Sequence, residues 1–196
     1  MRNLATAVSK ILNPTVTSLA TIFIAIGFQQ MPFSQKLLWV GFGMLVAVVP
    51  TIVLYLSFRP GNSKAGSFWA PEGKDRIKAF LAWVVVAFIY AVSAYLFSAP
   101  RLITALAVVL LVLGIINLAA TAYFKISIHS EAITLLVLLG VLAVSVNFIY
   151  LTVLIALVGW ARVYLKEHTL TEVVFGIFTT IFLVFLIFSF FGLATF

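Results

Sequence analysis

Polar residues interrupt this chain at widely spaced intervals, and the apolar runs between them set its architecture. Runs at 14–31, 37–58, 79–98, 102–123, 131–147, 149–166 and 171–195 match the roughly 17 to 25 apolar residues that a helix needs to cross a bilayer core. No barrel-like alternation competes with them, and in lipid a helix satisfies its own backbone hydrogen bonds. The pattern predicts an all-α, polytopic membrane bundle of six to seven transmembrane helices, forming one integral membrane domain over 14–196. Pro14 suits a helix start, Met31 to Gln35 a turn, and Ser98-Ala99-Pro100-Arg101 a break. The fifth and sixth runs are parted only around Val146-Asn147-Phe148, where a tight hairpin is required.

Residues 1–13 follow a different pattern. Leu4, Val8, Ile11 and Leu12 share one helical face, with Arg2, Asn3, Ser9 and Lys10 mostly elsewhere, as in an amphipathic helix lying at the membrane interface. A cleaved signal peptide is not expected, because the next apolar run is followed at once by another of spanning length.

Composition sharpens the picture. With 64% hydrophobic residues and a mean hydropathy of +1.25, the chain is too apolar for a water-soluble core of this size. The absence of cysteine removes disulfides, thiolate chemistry and cysteine-ligated zinc without identifying a compartment. A net charge of +7 suits anionic membrane lipids and is equally what cytoplasmic loops supply; no nucleic-acid partner is expected. When the seven runs alternate across the membrane, every lysine and arginine except Lys36 and Arg101 falls on one side. That side also carries the N-terminus and the 59–78 stretch, a loop or partial surface helix, so it is predicted to be cytoplasmic.

Two polar wedges on that side hold both histidines of the chain. The first is Lys125-Ile126-Ser127-Ile128-His129-Ser130-Glu131. Ser127 and His129 precede a helix whose free N–H groups and positive dipole end suit an anion, and Lys125 adds a charge. The plainer alternative is that Ser130 caps the helix, Glu131 complements its dipole and His129 sits at the interface. The second wedge runs from Ala161 to Glu172. Arg162 suits bidentate contact with phosphate oxygens, and a carboxylate at Glu172 bonded to one nitrogen of His168 would leave the other free as a nucleophile. Thr169-Leu170-Thr171-Glu172 is also a capping-box pattern, in which Glu172 does no more than satisfy helix N–H groups. Ionisable clusters at a membrane boundary are functional-site candidates, and two on one face point to phosphate handling.

These residues resemble the type 2 phosphatidic acid phosphatase superfamily. Ser127-Ile128-His129 is similar to its second motif, usually Pro-Ser-Gly-His, and Arg162 through His168 to Glu172 is similar to its third, Ser-Arg, five residues, His, three residues, Asp. The resemblance covers mainly residues 100–190. It implies that His168 attacks phosphorus, Glu172 orients it, Arg162 binds phosphate, His129 protonates the leaving group and Ser127 contacts a phosphate oxygen. The implied substrate is a lipid or polyprenyl phosphate or diphosphate, with no metal and no cofactor. The chain departs from the pattern in several places. The first motif, a Lys, six residues and Arg-Pro, has Ile52 where the Lys belongs before Arg59-Pro60; Ile128 replaces Gly, Ala161 replaces Ser, and Glu172 replaces Asp. Lys125, within a Lys-Ile-Ser-x-His sequence similar to that of some divergent branches, is expected to supply the missing charge, helped by Lys74 or Arg76 from a 59–78 loop that closes over the wedges.

Other functions make different demands. A catalytically silent relative that binds anionic lipids or passes an anion is favoured by the lost first motif and opposed by the intact His, His and Arg spacing. A carrier needs ionisable groups at mid-membrane, where only the uncharged Asn117 and Asn147 are found.

Overall fold

The computed structural model describes residues 1–57 and 73–193, with the side chains of Ser57, Lys74 and Asp75 left out. Its elements are α1 (Arg2–Ile11), α2 (Pro14–Gly27), α3 (Phe33–Ser57), α4 (Gly73–Leu96), α5 (Arg101–Ala120), α6 (Ile128–Ala143), a 3-10 helix (Val146–Leu151) that runs into α7 (Thr152–Tyr164), and α8 (Leu170–Phe190). Among the described residues there is no strand. Among the described residues, five stretches are long and apolar enough to cross a membrane: α3, α4 from Arg76, α5, the 3-10 helix with α7, and α8. A sixth arises if α1 and α2, bent by 42° at residues 12–13, count as one, while α6 is a shorter apolar helix. The chain is an integral membrane helical bundle. Its outer face agrees, since Leu45, Phe88, Ile115, Val153, Phe182 and Leu186 are exposed, a surface that suits acyl chains rather than water.

Local chemistry explains the boundaries. Asn13 caps α2 by accepting the Val16 N–H at 3.0 Å, and Pro14 occupies the first turn, where its missing N–H costs nothing. At the end of α4, Ser98 adopts a left-handed conformation (φ 50), and the Ala99 and Ser98 N–H groups return to the carbonyls of Ala94 and Tyr95. This is a Schellman cap, followed by Pro100. The expected hairpin near residue 147 is the turn at Val144 and Ser145, after which the Ser145 hydroxyl caps the 3-10 helix by accepting from the Asn147 N–H at 3.3 Å.

Two details differ from the sequence reading. Helix α4 begins at Gly73, ahead of the run expected from 79, so Lys74 and Arg76 ride on its first turns. The expected closure of the 59–78 loop falls largely on residues 58–72, outside the described residues. The face of α1 that packs onto the protein is Ala5, Val8 and Ser9, while Leu4 and Ile11 are exposed. The amphipathic pattern located the helix, but its protein-covered face follows from the small residues that let it approach α7.

The core sits around α5, the most enclosed spanning helix, with α2, α3, α4, α6 and α8 contributing to one apolar cluster. A smaller cluster joins Ala5 and Val8 to Ile133, Val158 and Ala161. The starts of α2, α4, α6 and α8 and the ends of α3, α5 and α7 all lie at one end of the bundle, and both wedges lie there.

Candidate functional site

The second wedge is shaped by how α7 stops. Lys166 takes the left-handed conformation (φ 58), its N–H returns to the Val163 carbonyl at 3.0 Å, and the Glu167 N–H returns to Arg162 at 3.1 Å. This Schellman cap reverses the chain so tightly that the His168 N–H also reaches the Arg162 carbonyl, at 3.3 Å. The five-residue gap between Arg162 and His168 is thereby closed by backbone hydrogen bonds. Helix α8 then begins with a complete capping box on Thr169 and Glu172. Glu172 Oε2 accepts the Thr169 N–H at 2.9 Å and lies 3.0 Å from His168 Nδ1. One carboxylate oxygen therefore caps the helix and orients the imidazole.

The first wedge is fastened to the second. Ser127 is the N-cap of α6: its hydroxyl accepts from the Ser130 N–H at 3.5 Å and from the Ser130 hydroxyl at 3.0 Å. The assignment of the cap to Ser130 is corrected, because the extended residue is Ser127. The Ser127 N–H points to the Glu172 carbonyl at 3.4 Å, and Gly176 lets α8 come close. A Cβ at Gly176 would sit 3.0 Å from the Ser127 carbonyl oxygen and 3.3 Å from Glu131 Cγ. His129 is buried, 2% exposed, which corrects the view of it as an interfacial side chain.

The charged groups converge. Arg162 is fully buried; its Nη1 donates to Ser9 Oγ at 2.7 Å and pairs with Glu167. Arg76, 6% exposed, donates through Nη2 to the Ile126 carbonyl at 3.1 Å and lies 5.2 Å over the Phe80 ring. It stands within electrostatic reach of Glu172 and Glu131. Lys125 is half-buried, and its charge acts on His168. Burial first, then the Arg162 guanidinium, pushes the His168 imidazole below its ordinary range, against the opposing pull of Glu172. The ring is therefore neutral at neutral pH, the state a nucleophile needs. Ser127 is occupied as a cap, and the side chain of Lys74 lies outside the description. Among the described residues no three His, Asp or Glu side chains gather to hold a metal ion.

His129, His168, Lys125 and Arg76 open onto one cavity of about 110 Å³. Beyond this polar end its walls are Ile22 of α2, Val46, Pro50 and Leu54 of α3, Phe80 and Trp83 of α4, and Leu110 of α5. No protein-family model, curated protein or solved structure matches the chain.

Sequence reasoning missed two members of this site. Ser9, remote in sequence, reaches Arg162 because α1 folds back onto α7. Asn117, noted only as an uncharged residue within a span, is buried and donates to Glu131 Oε2 at 2.8 Å, so Glu131 faces a helix neighbour rather than only the α6 dipole. The single sequence signal for the first was a serine in an amphipathic helix, and for the second a lone amide in an apolar run.

Proposed function

We propose that the chain is a divergent member of the type 2 phosphatidic acid phosphatase superfamily and hydrolyses a lipid or polyprenyl phosphate or diphosphate through a phosphohistidine. The observation that carries this reading is the 3.0 Å contact between His168 Nδ1 and Glu172 in a cavity that also holds His129, Lys125 and Arg76. With Nδ1 committed to the carboxylate, Nε2 is the nucleophilic nitrogen. It attacks phosphorus, the P–O bond to the lipid breaks, and His129 gives its proton to the departing oxygen. Burial, Arg162 and His168 hold His129 well below its ordinary range, and a bound phosphate dianion beside it draws it back toward the protonated imidazole that this step needs. Water then attacks the phosphohistidine, His129 takes its proton, and the P–N bond breaks to release inorganic phosphate. Arg162, Arg76 and Lys125 balance the charge on the phosphoryl oxygens.

The apolar part of the cavity supports a lipid as the substrate. Its lining runs from Pro14 to Ile22 on α2, Val46 to Leu54 on α3 and Arg76 to Trp83 on α4, about 10–12 Å along each helix at 1.5 Å per residue. An apolar chain attached to the phosphate fits that depth. The charge bias favours a cytoplasmic site.

One observation favours a second reading. Glu167 pairs with Arg162, so a phosphate must displace a carboxylate to reach that guanidinium, and a catalytically silent relative that binds anionic lipids would carry the same arrangement. Phosphate release by purified protein from a panel of acyl and isoprenoid phosphates, with chelator present, separates the two. Rapid quench with labelled substrate is expected to trap an acid-labile, base-stable phosphoprotein in the parent and none in His168→Ala. Unimpaired turnover in His168→Ala, or activity lost to chelator and restored by a divalent ion, rejects the mechanism.

A further inference from the structure

We infer that Ser9 is a positioning residue of the phosphate site, holding Arg162 with its hydroxyl. The inference rests on the reading of Arg162 as a phosphate-handling group, and extends the site to a helix that no motif reaches.

Ser9 Oγ accepts from Arg162 Nη1 at 2.7 Å across 153 positions of sequence. The residue is 5% exposed in an otherwise apolar contact, where Ala5 and Val8 of α1 pack on Ile133, Val158 and Ala161. A hydroxyl in such a contact costs free energy unless it is paired. Alanine would fill the same space without that cost. The serine is therefore explained by the guanidinium it meets.

The geometry also says what Ser9 does. Arg162 Nη1 lies between two acceptors, Ser9 Oγ and the Glu167 carboxylate. Ser9 draws the guanidinium toward α1, while Glu167 draws it toward the α7 cap. With the hydroxyl removed, Ser9 no longer opposes the pull of Glu167 on the guanidinium, and an incoming phosphate competes with a stronger ion pair. The contact between His168 and Glu172 does not involve Ser9, so the nucleophile keeps its place in such a variant. Ser9→Ala therefore acts on phosphate affinity rather than on the chemical step, and Glu167→Gln in the same chain offsets it by weakening the competing pair.

The test uses the full chain purified in detergent, with a hydrolysed lipid phosphate as substrate and orthovanadate as the anion probe. Ser9→Ala is expected to raise KM and the vanadate inhibition constant about tenfold each, as loss of one hydrogen bond to a charged group does. Turnover at saturation stays within about twofold. Ser9→Thr, which keeps the hydroxyl, recovers most of the affinity, and Ser9→Ala/Glu167→Gln recovers part of it. Parent-like constants in Ser9→Ala overturn the inference. So does equal loss in the alanine and threonine variants with unchanged vanadate inhibition, which marks a packing role. If the parent hydrolyses no substrate, the phosphatase reading fails by itself, and calorimetric binding of vanadate to parent and Ser9→Ala decides the role of Ser9. Weaker binding in the variant supports it; equal binding, or none by the parent, overturns it.

Discussion

Glu172 shows how one side chain can satisfy two readings of the same residues. The capping box and the histidine orienter appeared as alternatives in sequence, yet both fall on Oε2, which meets the Thr169 N–H and His168 Nδ1 together. A carboxylate fixed by the helix start is already immobilised when it meets the imidazole. This arrangement has a pH signature. Arg162 lowers the basicity of His168 and Glu172 raises it, so the acid limb of kcat/KM is expected below the ordinary imidazole range near 6.5. Arg162→Gln removes a lowering influence and moves that limb to higher pH, whereas Glu172→Gln removes a raising influence and moves it lower while cutting turnover. Rate profiles from about pH 4 to 9 check both directions; an acid limb that stays fixed in both variants would assign it to another group. Lys125→Ala is expected to cost at least about tenfold in turnover, from the weight of one charge-assisted hydrogen bond to phosphate. His129→Ala, by contrast, should spare a substrate with a good leaving group, because such a group departs without a proton. Comparing an aryl phosphate with a lipid phosphate measures that difference.

At the scale of helices, the site depends on how each element stops or starts. Lys166 occupies a left-handed position that favours glycine by about 1–2 kcal/mol over other residues. Lys166→Gly is therefore expected to raise the thermal midpoint without disturbing the Arg162 to His168 turn. Gly176 tests the opposite case. Its virtual Cβ lies 3.0 Å from a backbone oxygen of the first wedge, so Gly176→Ala is expected to destabilise by about 1–3 kcal/mol through overpacking, more than the roughly 1 kcal/mol that alanine gains in helix propensity. Activity should fall with it as the wedges part. Gly27 has open space around its own Cβ position, and Gly27→Ala should be neutral or stabilising. Thermal unfolding in detergent, read beside phosphate release, distinguishes these three changes.

For the whole molecule, the up-and-down order of α2 to α8 brings four helix starts and three helix ends to one face. Helix starts supply free N–H groups and positive dipole ends, which is the electrostatic environment an anion requires. The same order predicts topology. Cysteines introduced at Ser34 and Ala122, both exposed and at opposite ends of the bundle, should label from opposite sides of the membrane, with Ala122→Cys reacting from the cytoplasm. Labelling of both from one side rejects the alternating arrangement, and reversed labelling keeps the fold but puts the site outside.

The run lengths determined the helical membrane class, because an apolar stretch of spanning length has few other ways to satisfy its backbone in lipid. The spacing from Arg162 through His168 to Glu172 was legible for a similar reason: a cap and a helix start are local, so residues within about ten positions meet wherever the turn forms. What needed tertiary structure was contact between distant elements. Arg76 reached the site because α4 begins at Gly73, ahead of its apolar run. Asn117 found Glu131 through the packing of α5 on α6, and Ser9 found Arg162 because Ala5 and Val8 let α1 lie against α7. Periodicity shows that a helix has a buried face, but the partner of that face follows from shape and from which polar group would otherwise remain unpaired.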